Sequence, residues 1–100
     1  MRRAARVDGN QAEIVKALRQ IGASVATCHA VGQGFPDICV GYNGDTFLLE
    51  IKDPTKPKGD QKLTPLQVEW HQSWRGHVAV VKTVQQALEA IGVEYKGEIS

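Results

Sequence analysis

Asn43-Gly44 stands between two runs of strand-forming residues, and a two-residue turn there dictates where every neighbouring side chain faces. The first run is Pro36-Asp37-Ile38-Cys39-Val40-Gly41-Tyr42, and the second is Asp45-Thr46-Phe47-Leu48-Leu49-Glu50-Ile51-Lys52. Asn-Gly favours a type I′ turn because both central residues then take positive φ. Tyr42 pairs with Asp45, Cys39 with Leu48, and Asp37 falls opposite Glu50. Side chains alternate along a strand, so Ile38, Val40, Phe47, Leu49 and Ile51 share one apolar face. Asp37, Cys39, Gly41, Thr46, Leu48, Glu50 and Lys52 share the other. That second face is small and apolar near the turn and charged at its open end.

Directly opposed residues of such a pair hold their Cβ atoms ~4.5–5.5 Å apart, and like charges there destabilise the hairpin. Asp37 facing Glu50 therefore needs compensation, and a divalent cation is the simplest source. The expectation is sharp, because a turn longer by one residue would send the acids to opposite faces.

The chain has 100 residues, 42% of them hydrophobic and 23% charged, which fits one folded domain rather than a disordered segment. No apolar run nears the ~20 residues that span a bilayer. Met1-Arg2-Arg3-Ala4-Ala5-Arg6 is basic but has no apolar stretch behind it, unlike a signal peptide. Cys28 and Cys39 have no zinc spacing and read as buried free thiols in a reducing cytoplasm. A net charge of +1 does not choose a partner, but the charges cluster. Arg2, Arg3 and Arg6 lie at one end, and Lys52, Lys56, Lys58 and Lys62 follow the hairpin. Such clusters suit a phosphate backbone or simply a solvated surface.

Ile14, Val15, Leu18 and Ile21 give a first helix an apolar stripe, with Asp8 or Asn10 as its cap and Gly22 as its stop. Ser24 to Ala30 reads as a short strand, and residues 31–36 as a loop that leads into the hairpin. Asp53 to Leu63, with its prolines, glycine and lysines, reads as a mobile loop. Thr64-Pro65-Leu66-Gln67 opens a helix that runs to about Arg75, with Gln67 closing a capping box. His77 to Lys82 reads as a buried strand. Thr83-Val84-Gln85-Gln86 repeats the capping pattern and opens a last helix ending near Ile91-Gly92. The order is helix, three strands, helix, strand, helix.

Pro36-Asp37 followed by Glu50-Ile51-Lys52, in this order of elements, resembles the PD-(D/E)XK nuclease superfamily. With Gln67 on a helix ahead of a strand, it is similar to the VRR-NUC branch and to archaeal-type Holliday-junction resolvases, from about Asn10 to Leu88. The resemblance implies a single-domain α/β fold with a restriction-endonuclease-like αβββαβ core, its mixed central sheet flanked by helices. Residues 1–9 would be a basic arm and 93–100 a tail. The resemblance also implies Mg²⁺ or Mn²⁺ held by Asp37, Glu50 and the Ile51 carbonyl. Asp37, Glu50, Lys52 and Gln67 form the implied catalytic set, with Lys52 beside the attacking water. Such a site suits the chemistry, since Mg²⁺ favours one or two carboxylates plus waters and phosphate oxygens.

The chain departs from that pattern on its first helix. Related nucleases often carry an acid there, and here Gln11 stands in its place. Glu13 is out of phase with the apolar stripe, Asp8 is better placed, and the third acid stays unassigned. Gln67 has a second reading as a helix cap alone. Trp70 and Trp74 read as packing, and His29, His71 and His77 as structural or surface residues. Gly32 and Gly34 either admit a DNA backbone or only turn the chain. The resulting expectation is a metal-dependent endonuclease acting on branched or junction DNA, a homodimer of phage or bacterial origin with no membrane partner. The alternatives are a nuclease subunit of a larger DNA-processing assembly and a non-catalytic DNA-binding module that keeps the fold.

Overall fold

The computed structural model describes residues 9–94, so Arg2, Arg3, Arg6, Asp8 and the tail beyond Glu94 lie outside it. Asn43 and Gly44 take φ of 54° and 86°, as a type I′ turn requires. They join β2 (Ile38–Tyr42) to β3 (Asp45–Ile51). The register runs Tyr42 with Asp45, Cys39 with Leu48 and Ile38 with Leu49, as the turn dictates. β1 (Ser24–Thr27) pairs antiparallel with β2, and β4 (His77–Val81) pairs parallel with β3. The result is a mixed four-stranded sheet in the order β1-β2-β3-β4. The α/β order expected from the sequence is therefore present.

One sheet face carries the core. Ile14, Val15 and Leu18 of α1 (Gln11–Gln20) and Ala87 and Leu88 of α3 (Val84–Ala90) pack on Ile38, Val40, Phe47, Leu49, Ile51 and Val81. Each such aliphatic side chain contributes about 1.5–3 kcal/mol when fully buried. The other face is lined near the site by α2 (Pro65–Ser73), which buries none of its own residues.

Three local expectations need correction. Asn10 sits at the N-cap of α1 but makes no side-chain cap bond. Its Nδ2 instead donates to the carbonyls of Lys52 (3.1 Å) and Lys82 (2.9 Å), tying the ends of β3 and β4 together. The segment after β3 is a folded loop rather than a loose one. Asp53 Oδ1 accepts from Thr55 N–H and Oγ1, Lys58–Gln61 forms a 3₁₀ turn, and Gln61 Nε2 donates to the Pro54 and Lys56 carbonyls. β4 is not a buried strand either. It forms a sheet edge, with Val81 buried but Val80 39% exposed.

Smaller differences follow from side-chain bonds. The first strand stops at Thr27 rather than Ala30. At α3, Thr83 Oγ1 accepts from Gln86 N–H, but Gln86 Oε1 accepts from Lys82 N–H, so that box forms only in half. At α2 the box closes fully between Thr64 and Gln67.

Two glycines with positive φ should respond differently to substitution. A Cβ on Gly44 meets nothing within 4 Å, whereas one on Gly34 would lie 2.6 Å from the Leu66 carbonyl oxygen. Gly44→Ala is expected to cost about 1–2 kcal/mol from backbone conformation alone. Gly34→Ala should cost clearly more, because the neighbour is backbone. Urea midpoints of the two variants test this ranking, and equal losses would contradict it.

Candidate active site

Asp37 precedes β2 by one residue, and the Ile38–Leu49 pairing carries it across from Glu50. Its Oδ2 accepts the Ile51 N–H at 2.7 Å, which anchors the carboxylate to the end of β3. Glu50 is 3% exposed and Lys52 7% exposed, so the charged end of the hairpin face is buried rather than solvated. Glu50 Oε2 accepts from Gln67 Nε2 at 2.9 Å and lies 3.6 Å from Lys52 Nζ. Lys52 Nζ donates to Gln67 Oε1 at 3.0 Å, and the same oxygen accepts the Thr64 N–H at 2.9 Å. Gln67 thus caps α2 and binds both charged residues at once. Its two readings are compatible because its amide offers a donor and an acceptor end.

The electrostatics are unbalanced. Burial first, and then the Asp37 carboxylate, push the Glu50 carboxyl up from 4.5 to about 8, against the opposing pull of Lys52. Glu50 Oε1 is buried with no hydrogen-bond partner. An orphaned carboxylate oxygen beside a second carboxylate is the environment that a cation relieves. The residues present therefore fit a divalent metal. Among the described residues no three His, Cys, Asp or Glu side chains converge on one point. Two carboxylates with backbone oxygen suit a hard ion that keeps several waters, and would not suit zinc.

The helix-borne acid is absent from the described residues near the site. Glu13 is exposed on α1, and the inward position belongs to Gln11, 5% exposed. Gln11 Nε2 lies 3.0 Å from His29 Nε2, and His29 Nδ1 lies 3.9 Å from Asp37 Oδ1. His29, read from sequence as structural or surface, is thus beside Asp37. The loop between β1 and β2 carries it there, and periodicity says nothing about such a loop. His71, one turn after Gln67, is the second such residue. Its ring is shifted toward the neutral form by burial and then by Lys52, and its Nε2 is buried without a partner. The i, i+4 spacing from Gln67 was the signal that could have found it. Cys28 and Cys39 are free and half-buried, and burial holds the Cys28 thiol up, with Cys39 and Asp37 adding to the effect.

A solved structure titled "VRR_NUC domain" superposes with a TM-score of 0.62 at 22% identity, covering 88% of this chain and 100% of that one. The fold is that of a VRR_NUC domain. No protein-family model matches the sequence, and no curated protein matches it as a relative. The shared architecture places the hairpin and α2, and the site chemistry rests on the residues themselves.

The raised Glu50 carboxyl has a definite sign in stability. Between 4.5 and about 8 the folded protein keeps a proton that the unfolded chain releases. The metal-free protein should therefore lose stability as pH rises through that window. Glu50→Gln should remove this part of the slope. Urea midpoints measured across the window in EDTA check it, and identical slopes for the two proteins would show that Glu50 is not the group responsible.

Proposed function

We propose that this chain is a Mg²⁺- or Mn²⁺-dependent endonuclease that hydrolyses DNA phosphodiester bonds. The observation that carries the reading is the meeting of Asp37 with a buried Glu50 whose Oε1 has no partner, beside an ammonium group held by Gln67. Asp37, Glu50 and the Ile51 carbonyl would hold the cation. The chemistry such an ion supplies is polarisation of the phosphodiester.

The remaining work falls to side chains. Lys52, 7% exposed and bonded to Gln67 Oε1, places fixed positive charge where the phosphate oxygens gain negative charge as water adds to phosphorus and the ester P–O bond breaks. The same lysine orients the attacking water. Gln67 keeps Lys52 and Glu50 apart yet both in place, so it acts as a positioning residue. His29, backed by Gln11, borders the Asp37 carboxylate on its open side.

The substrate is branched or junction-like DNA, since the described chain is little more than the core and adds no separate element for reading sequence. A homodimer suits such a substrate, and the half-exposed Val80 on the β4 edge offers apolar surface for a second copy. No helix among the described residues is long and apolar enough to cross a membrane.

The direct test is nicking of supercoiled plasmid and of four-way-junction DNA with Mg²⁺, with Mn²⁺ and with EDTA. Cleavage should require the cation. Lys52→Ala should slow it by about 10²–10³-fold, the range for loss of one preorganised electrostatic group. Equal rates for wild type and Lys52→Ala would sink the reading. Cleavage only after a partner protein is added would identify a subunit of a larger assembly instead.

A further inference from the structure

We propose that a cleft between Gln33 and the flank of α2 receives one unpaired nucleobase of the strand being cut, with preference for a base that carries an amino group. This rests on the nuclease reading above and adds to it the recognition of an unpaired nucleotide. The cleft measures about 290 Å³ and is lined by Gln33, Leu66, Glu69, Trp70 and Ser73.

Its walls are stiff. Gly32, Gln33 and Gly34 take φ of 70°, 58° and 83°, three successive left-handed residues. Glutamine has no intrinsic reason to sit there, and backbone held in such a region clusters at ligand clamps. Gly34 approaches α2 so closely that a Cβ would lie 2.6 Å from the Leu66 carbonyl oxygen, which seats the loop on the first turn of the helix. Trp70 is braced on both sides. Phe35 meets it edge-on at 5.2 Å, and Trp74 stacks on it at 4.8 Å with the planes 19° apart. Around this wall Leu66 is 54% exposed and Trp74 40% exposed, an apolar surface that the fold leaves uncovered.

The position and the rim choose the occupant. Trp70 follows Gln67 by three residues, about 4.5 Å along a helix axis at 1.5 Å per residue. That is within one nucleotide of a phosphate at Glu50 and Lys52. Glu69 repels phosphate, so the group that enters is the neutral base rather than the backbone. Stacking on an aromatic ring accepts any base, and the polar rim discriminates. The Glu69 carboxylate only accepts hydrogen bonds, and Ser73 Oγ already spends its proton on the Trp70 carbonyl at 2.9 Å. Two acceptors at the rim favour cytosine, with its exocyclic amine, over thymine, which presents a carbonyl at the equivalent position.

Trp70 and Trp74 are the chain's two tryptophans, so their fluorescence reports on the cleft itself. Titrations in EDTA with oligo-dC, oligo-dT and a duplex of equal length provide the test. Oligo-dC is expected to quench the tryptophans and to bind more tightly than oligo-dT. Trp70→Ala should weaken single-strand binding by about 5- to 150-fold, the loss of one base stack, while duplex binding changes little. Glu69→Gln should narrow the dC-to-dT ratio. Gln33→Gly, which relieves the backbone and deletes the amide, should keep or raise stability in urea while weakening oligo-dC binding, so a folding defect cannot imitate the result.

DNA binding with unchanged tryptophan emission, or with equal single-strand affinity in wild type and Trp70→Ala, overturns the cleft and leaves the nuclease reading intact. Failure of the wild type to bind any DNA defeats both. Tryptophan changes that follow protein concentration without DNA would make the cleft an interface between copies, and that also overturns the proposal.

Discussion

The turn at Asn43-Gly44 is the constraint on which the site depends. A strand alternates its side chains without exception, so the length of one turn decides whether two acids share a face or oppose each other across the sheet. Both turn residues have positive φ, a conformation that asparagine tolerates and glycine adopts freely. From that pair the register propagates outward through Cys39–Leu48 and Ile38–Leu49 to the open end, where Asp37 and Glu50 meet. The same alternation sends Ile38, Val40, Phe47, Leu49 and Ile51 into the core. Core and site are therefore two faces of one decision. A slip that spoiled the site would also expose five core positions, so folding itself enforces the juxtaposition of the acids.

Bringing carboxylates together is unfavourable, and the fold offsets it only in part. Lys52 and Gln67 satisfy Glu50 Oε2, and the Ile51 N–H satisfies Asp37 Oδ2. Glu50 Oε1 receives nothing. An apolar isostere would be cheaper for stability, since unpaired buried charge is among the costlier features a core can hold. Its presence at the edge of an otherwise well-packed sheet is best understood as a binding function held at the expense of stability.

Much of this was legible in the sequence. The hairpin register, the order of helices and strands, and the capping box at Thr64–Gln67 all follow from short-range rules, and short-range rules act before tertiary contacts do. What could not be read was set by long-range bonds. Asn10 has an N-cap's identity and position, yet Lys52 and Lys82, 42 and 72 residues away, hold its side chain. Gln11 could be placed on the inner face of α1, but not its contact with His29, because a loop brings that histidine in. His77 to Lys82 has the apolar content of a buried strand, yet it lies at the sheet edge, and strand order is invisible to composition. The loop after β3 looked loose because proline, glycine and lysine dominate it. Asp53 and Gln61 tie it down through side-chain bonds to its own backbone.

The seating of α2 joins these observations. The helix buries none of its residues, so apolar packing alone does not hold it. Its contacts are instead the Gln67 bonds to Glu50 and Lys52, the close approach of Gly34 to Leu66, and the edge of Phe35 on Trp70. One of these fastenings is the site itself, and the other two come from the loop that carries Asp37. The charges on Glu50 and Lys52 therefore help to fix the position of the helix that lines the site. Gln67 is the common atom set, because the oxygen that bonds Lys52 also closes the cap at Thr64. A substitution at Gln67 must consequently disturb the helix start and the charged pair together. The separation of structural from chemical roles, which sequence reading invites at this residue, has no counterpart in the folded molecule.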